Sequence, residues 1–223
     1  MEKLLLTAAA AAALSFASFG AHAADEGAFI GVNGGRANYD ISHSGFQDKN
    51  DAAFGAVVGY RWAVDRPFYF GVEAGYVDLG SISSRYEQTY TYPNDVITDT
   101  QKYKLKGKAV LIGANGKWLL PHHWTITARL GLAHSRTTYD TQFDYLDNGQ
   151  HVYSGNDVVD SGKTHDSSND NGLYAGVGFG YDFTPNFGVT VNYDNYSLKA
   201  QNITGDKRTV NVGVWGGAAE FRF

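Results

Sequence analysis

From about residue 27 to the last residue, apolar positions alternate with small or polar ones, in blocks separated by polar runs. Phe54, Ala56, Val58, Tyr60 and Trp62 share one face, and Gly55, Val57, Gly59 and Arg61 share the other. Residues 70–76 repeat the pattern, with Glu73 between Gly71 and Gly75. Val110, Ile112, Ala114, Gly116 and Trp118 oppose Gly113, Asn115 and Lys117. Trp124, Ile126, Ala128, Leu130 and Leu132 oppose Thr127, Arg129 and Gly131. The blocks 173–183 and 187–194 alternate in the same way, with Asn192 and Asp194 on the polar side of the second. Period two marks β-strands, because successive side chains point to opposite faces. The pattern predicts strands over 27–39, 53–63, 67–79, 103–118, 123–138, 172–183, 187–196 and 208–223.

The two faces are unlike those of a soluble sandwich, whose wet face is rich in Lys and Glu. Here one face is long and uninterruptedly apolar, and the other is mostly Gly with single charges and amides. Small residues suit the crowded inside of a narrow barrel, and an unbroken apolar outside suits lipid. The connections alternate in length. Those at 63–67, 119–123 and 184–186 are short, and those at 41–51, 80–101, 139–170 and 197–207 are long. Four long and three short connections predict an all-β, eight-stranded antiparallel transmembrane barrel, with short periplasmic turns and long extracellular loops. A ten-stranded reading stays open if a ribbon around Asn148-Gly149 joins the wall.

Composition adds three restrictions. The chain has no Cys, which removes disulfides and thiolate metal sites. Its net charge of -5 argues against a nucleic-acid partner, which would call for a basic face. Its 27 Gly and 14% aromatic content fit a strand-rich protein with close backbone approaches. The start of the chain reads as an export signal. Lys3 supplies a short basic region, 4–19 is apolar and Ala-rich, and Ala21-His22-Ala23 is a small-x-small cleavage pattern. Residues 1–23 are therefore expected to be removed, leaving 24–223 as the barrel domain of a bacterial outer-membrane protein.

Aromatics gather beside the short turns: Tyr60, Trp62, Phe68 and Phe70 at the first, Trp118 and Trp124 at the second, and Tyr181, Phe183 and Phe187 at the third. Rings with apolar bodies favour the membrane–water boundary, so these read as a periplasmic girdle. The last strand contains Trp215 and ends on Phe221 and Phe223, all on the lipid-facing side. A terminal Phe after an alternating strand resembles the signal by which the outer-membrane assembly machinery recognises its clients.

With the strands placed, the chain resembles the OmpA/OmpX-type small-barrel superfamily. The resemblance rests on 28–39 (AFIGVNGGRANY), 55–80 (GAVVGYRWAVDRPFYFGVEAGYVDLG), 113–132 (GANGKWLLPHHWTITARLGL), 178–196 (GFGYDFTPNFGVTVNYDNY) and the terminal Phe. It implies the fold and the location, and leaves function open, because the superfamily hosts channels, adhesins and structural proteins. It also implies a lumenal charge network. Glu73 and Arg129 stand at positions of the family's lumenal acid and arginine, whereas Asn115, Gly180 and Thr190 stand where it has a lysine, an acid and an arginine. The family's gating set is thus incomplete here. The sequence ends at Phe223, so tethering through a following peptidoglycan-binding domain is not expected.

The chargeable set expected inside is Arg61, Glu73, Lys117, Arg129, Asp194, Glu220 and Arg222, with Asn115 and Asn192 among them. Buried charges must pair or stay wet, so a salt-bridged plug or a narrow pore are the two readings. Glu73 and Arg129 are expected to pair across the lumen. Catalysis finds little support, since His134 and Ser135 are adjacent and so face opposite ways. No cofactor or metal motif stands out, and His122-His123 reads as a solvated turn. Asn148-Gly149, between 139–146 and 150–154, is a two-residue hairpin signal. It predicts that the strands flanking the third long loop project above the membrane, and the Tyr-rich second loop can extend its own strands likewise. The functional expectation is a structural or surface-interaction barrel meeting a host or surface ligand at its loops. A narrow channel is the alternative, and a lipid-modifying enzyme a remote one. Membrane lipid and lipopolysaccharide are the expected surroundings.

Overall fold

The structure is a computed structural model that describes residues 26–40, 49–93, 95–151, 153–154, 157–158, 161–201 and 207–223. The proposed signal segment, with Ala21 and Ala23, lies outside the described residues. The strands are β1 (Gly27–Asp40), β2 (Asn50–Asp65), β3 (Phe68–Tyr92), β4 (Asp95–Leu119), β5 (Trp124–Asp147), β6 (Tyr153–Ser154), β7 (Asp157–Val158), β8 (Ser161–Thr184), β9 (Phe187–Gln201) and β10 (Lys207–Arg222). Eight of them close a barrel in the order β1-β10-β9-β8-β5-β4-β3-β2, every pairing antiparallel. Closure runs from Phe29↔Arg222 to Asp40↔Asn211, so no edge of the barrel wall is left unpaired there. The ten-stranded alternative does not hold: β6 and β7 pair only with each other, outside the wall.

The short turns are locally encoded. Between β8 and β9, the Thr184 hydroxyl accepts from the N–H groups of Asn186 (3.3 Å) and Phe187 (3.0 Å). Between β4 and β5, one 3-10 turn, Pro121–His123, reverses the chain with His122 and His123 both at positive φ. Both termini of the barrel lie at this end, where the Phe223 N–H donates to Ala28 O (3.0 Å).

At the opposite end the expected projecting ribbons form. Most of 80–101 and 139–170, placed as long connections between strands, continues the strands. β3 pairs with β4 up to Tyr92↔Asp95, β4 with β5 up to Ile97↔Asp147, and β5 with β8 up to Asp144↔Ser161. Their neighbours stop earlier, at Phe54↔Asp78 on one side and Tyr174↔Tyr196 on the other. Four strands therefore rise past the wall as one sheet. Twelve residues of β3 lie beyond its bulge, roughly 40 Å of strand at ~3.3 Å per residue. The Asn148-Gly149 turn does form, with both residues at positive φ and Asp147 bridged to Gln150. Its return arm is not 150–154, however. The partner of β5 is the segment beginning at Ser161.

A β-bulge marks where the sheet leaves the wall. The β3–β4 register shifts between Asp78 and Ser81, and Gly80 sits at φ +74. The Asp51 carboxylate accepts from the Ser81 N–H (2.6 Å), and that of Asp78 accepts from the Gly80 N–H (2.9 Å). The extra residue swaps the facing of β3: Val77 and Leu79 point in before it, Ile82 after it. A Cβ at Gly80 would lie 2.6 Å from Ala52 O and 2.8 Å from the Asp51 Cβ. Gly80→Ala is expected to cost about 1–2 kcal/mol or more, from the left-handed backbone alone. Urea unfolding in lipid vesicles reads this directly.

Candidate functional site

The lumen is stratified. Its periplasmic layer is built on β2, β4, β8 and β10. Arg61 holds Glu220 in a two-pronged bridge (Nη1–Oε1 2.6 Å, Nη2–Oε2 2.8 Å), and its Nε donates to Asn115 Oδ1 (2.6 Å). Arg222 holds Asp182 in the same way (2.9 and 2.8 Å), and Lys117 reaches Asp182 at 2.9 Å. The Arg61 guanidinium also lies over the Phe29 ring, 4.1 Å from its centroid.

The next layer is centred on Arg129 of β5. Its Nη2 meets Glu73 Oε1 at 2.9 Å, and its Nε lies 3.8 Å from Asp194 Oδ1. Glu73 also accepts from the Tyr174 hydroxyl (2.7 Å), and Asn192 donates to Asp194. A cavity of about 80 Å³ separates and joins the layers, lined by polar groups including Asn33, Asn115, Arg129, Asn192 and Asp194. It is polar and roomy enough to hold water. The lumenal charges balance: Arg61, Lys117, Arg129 and Arg222 against Glu73, Asp182, Asp194 and Glu220. No net fixed charge is left to select one ion sign.

Above these layers the lumen is mainly apolar, with the hydroxyls of Ser135 and Thr137 buried at the same height. Ala37, Tyr39, Val77, Leu79, Ile82, Leu105, Leu111, Tyr196, Leu198 and Val212 form one buried cluster. Leu79, Tyr196 and Val212 are 0% exposed, so this layer is a packed core rather than a pore lining. Tyr39, Val212 and Tyr196 occupy one cross-strand row, and Tyr196 stacks on Tyr174 (6.1 Å between centroids). The Tyr39 hydroxyl donates to Leu79 O (3.1 Å). From Leu111 to Leu105 the layer is about 15 Å thick, at ~2.4 Å of height per residue of tilted strand.

The sequence expectations are placed as follows. Arg61, Glu73, Asn115, Lys117, Arg129, Asn192 and Asp194 all line the lumen, divided between the two polar layers. Asp182 was missed, although the alternation already sets it opposite Tyr181 and Phe183. Tyr174 was missed too, because a tyrosine on a glycine-rich face carries no charge signal. The apolar layer was missed altogether: Leu105, Leu111, Leu198 and Val212 follow the inward parity but look like ordinary strand residues. Tyr60, Trp62, Phe70, Trp118, Trp124, Phe183 and Phe187 are exposed near the short-turn end, with Phe68 and Tyr181 half-buried beside them. Phe68 contacts Trp118 (4.5 Å) and Trp124 contacts Tyr181 (5.1 Å). Trp215, Phe221 and Phe223 point outward, Trp215 against Tyr193 (4.9 Å).

His134 and Ser135 do diverge. His134 faces out and shares a hydrogen bond with Asn171 (2.7 Å), whereas Ser135 is buried and donates to Asp170 O (3.2 Å). Among the described residues, no three His, Asp or Glu side chains are grouped to hold a metal ion. On the projecting sheet, Asp140 takes hydrogen bonds from His165 (2.5 Å) and Lys106 (3.0 Å). The His165 bond, then that of Lys106, holds its carboxyl below the ordinary carboxylate range.

A family model described as outer membrane protein beta-barrel domain matches residues 9–223. No curated protein matches the chain. Among solved structures it is similar to Ail, the attachment invasion locus protein of Yersinia pestis, in complex with the heparin analogue sucrose octasulfate. Identity there is 18%, over 88% of this chain and 99% of that one, with a TM-score of 0.42. Neisserial surface protein A is similar at 13% identity, over 88% and 97%, with a TM-score of 0.45. The N-terminal β-barrel domain of Pseudomonas aeruginosa OprF is similar at 14% identity, over 86% and 97%, with a TM-score of 0.43.

Proposed function

The chain belongs to the outer membrane protein β-barrel domain family, and on that premise we propose that it is a closed anchor in the bacterial outer membrane, acting through the sheet it carries above the membrane. The observation that carries this reading is the dry apolar layer directly beneath that sheet. An ion crossing it would lose its hydration and meet only a few hydroxyls and no opposite charge, which costs many kcal/mol. The charge-balanced layers below add no selectivity of their own. What remains to act is the sheet. Among the described residues, no strand pairs with β3 beyond its bulge on the β2 side, or with β8 below Tyr174 in sequence on the β9 side. These two edges, paired with no further strand among the described residues and with Tyr86, Tyr90 and Tyr92 exposed along one of them, suit binding of a partner on a host or abiotic surface.

The rest of the reading follows the membrane physics. Residues 1–23 are removed on export, after Ala23. The rings from Tyr60 to Phe187 sit as a girdle at the periplasmic boundary. Trp215, Phe221 and Phe223 are presented to the assembly machinery.

Trimming the sheet tests the proposal without touching the wall. Asp140 and His165 are register partners, as are Ser84 and Tyr103. Joining each pair through Asn-Gly shortens both hairpins with their pairing intact. The trimmed protein is expected to fold, shown by unchanged heat-modifiable gel migration, and to lose most attachment of cells to host-cell or abiotic surfaces. Undiminished attachment by a folded trimmed protein would contradict the proposal.

A further inference from the structure

On the four rising strands, cross-strand rows alternate between the two faces. Rows containing Tyr103 and Leu105 point toward the barrel axis, since Leu105 is in the apolar cluster and Tyr139, opposite it, packs there. The intervening rows therefore point outward. They carry Lys102, Lys104, Lys106 and Lys108 in a single column on β4. Beside the column stand Arg85 opposite Lys102, Arg136 opposite Lys108, and Lys163 opposite Gln142. Seven of the chain's 18 Lys and Arg thus share four adjacent rows of one face, in a protein of net charge -5. Asp78 and Asp140 are the acids within those rows. Asp78 pairs with Lys108 (3.3 Å) and Asp140 with Lys106 (3.0 Å). Glu87 and Asp144 stand in the row above, Glu87 bridged to Arg85 (2.7 Å). Lys104 is exposed and close enough to Asp51 to act on its carboxylate, and Lys102, Arg136 and Lys163 are left exposed as a cationic surplus.

The height of the column identifies what it meets. The same outward face continues downward into lipid-facing Val110, Ile112 and Leu132, and ends at Trp118 by the short turns. Ten residues separate Lys108 from Trp118. At ~3.4 Å per residue and a tilt near 45°, that is a rise of about 24 Å. The apolar band of an outer-membrane barrel is about 25 Å tall. Lys108 therefore lies at the top of the hydrocarbon, and Lys106, Lys104 and Lys102 lie successively higher, where outer-leaflet headgroups reach. We propose that this column is a docking site for phosphate-bearing lipid of the outer leaflet, with acyl chains on Ile112 and Leu132 and headgroup phosphates on the lysines. A soluble polyanion would use the charge but not the continuity with the lipid-facing stripe.

The test uses the full chain in neutral phosphatidylcholine nanodiscs doped with diphosphoryl lipid A or its dephosphorylated form, with native mass spectrometry counting retained lipid. The parent is expected to retain the phosphorylated lipid at least ~10-fold more than the dephosphorylated one. Changing Lys102, Lys104, Lys106 and Lys108 together to Gln is expected to abolish that preference, and changing them to Arg to keep it. Equal retention of the two lipids by the parent would overturn the proposal, with no variant needed. So would a Gln variant that keeps the preference, or displacement of the phosphorylated lipid by soluble heparin at equal charge.

Discussion

Arg129→Met is expected to destabilise the folded barrel by about 3–5 kcal/mol, the largest loss of any single substitution in the two charged layers. Arg129 is the only cation of its layer, and two carboxylates depend on it, Glu73 at 2.9 Å and Asp194 at 3.8 Å. Glu73 keeps the Tyr174 hydroxyl and Asp194 keeps Asn192, but neither neighbour carries charge. Removing the guanidinium leaves two buried acids facing each other over the same small cavity. The magnitude reflects that uncompensated state rather than the net value of the pair. Adding Glu73→Gln and Asp194→Asn to Arg129→Met should therefore recover most of the loss. Urea unfolding in phospholipid vesicles measures both variants. A single variant within 1 kcal/mol of the parent would mean that the layer is wet enough to screen its charges.

The second expectation concerns closure. Tyr39→Ala combined with Tyr196→Ala removes two rings that flank Val212 in one row of the apolar layer. Their loss opens a gap toward the cavity beside Arg129, and the layer below is charged and can be hydrated. Unitary conductance steps are expected where the parent has none. Each truncation also costs roughly 3–5 kcal/mol of packing, less than additively in such close neighbours, so folding is checked first by gel migration. Replacing Glu73, Arg129 and Asp194 together by neutral residues, by contrast, is expected to leave the barrel closed. That contrast separates closure by an apolar layer from closure by an ion-pair gate. A leaking neutral triple variant beside a silent double-alanine variant would assign closure to the ion pairs.

The wall was legible in the sequence because lipid on one side and crowding on the other impose period two without exception. Trp62, Ile112 and Val177 face out and Glu73, Gly113 and Arg129 face in, as alternation predicts. What alternation cannot show is what the inward residues face. Leu105 and Lys117 share the parity of β4, yet one lies in a dry layer and the other in a charged one. The difference is height along the barrel, and height has no local signal in sequence. The Asn148-Gly149 signal announced projecting ribbons, but not that four strands rise as one sheet, because the residues there are polar on both faces, as loops are, and the bulge at Gly80 reverses the parity of β3 where the sheet begins. Lys104, Lys106 and Lys108 already share the outward parity of Val110 in the strand expected over 103–118; only pairing with β3, β5 and β8 adds Arg85, Arg136 and Lys163 to the same face.

Single-channel recording decides whether the barrel is an anchor closed by an apolar layer. The purified full chain is reconstituted in planar bilayers, with gel migration showing that it is folded. No resolvable unitary steps are expected from the parent at either polarity, with steps appearing in the Tyr39→Ala/Tyr196→Ala variant. Stable, reproducible steps from the folded parent would contradict it.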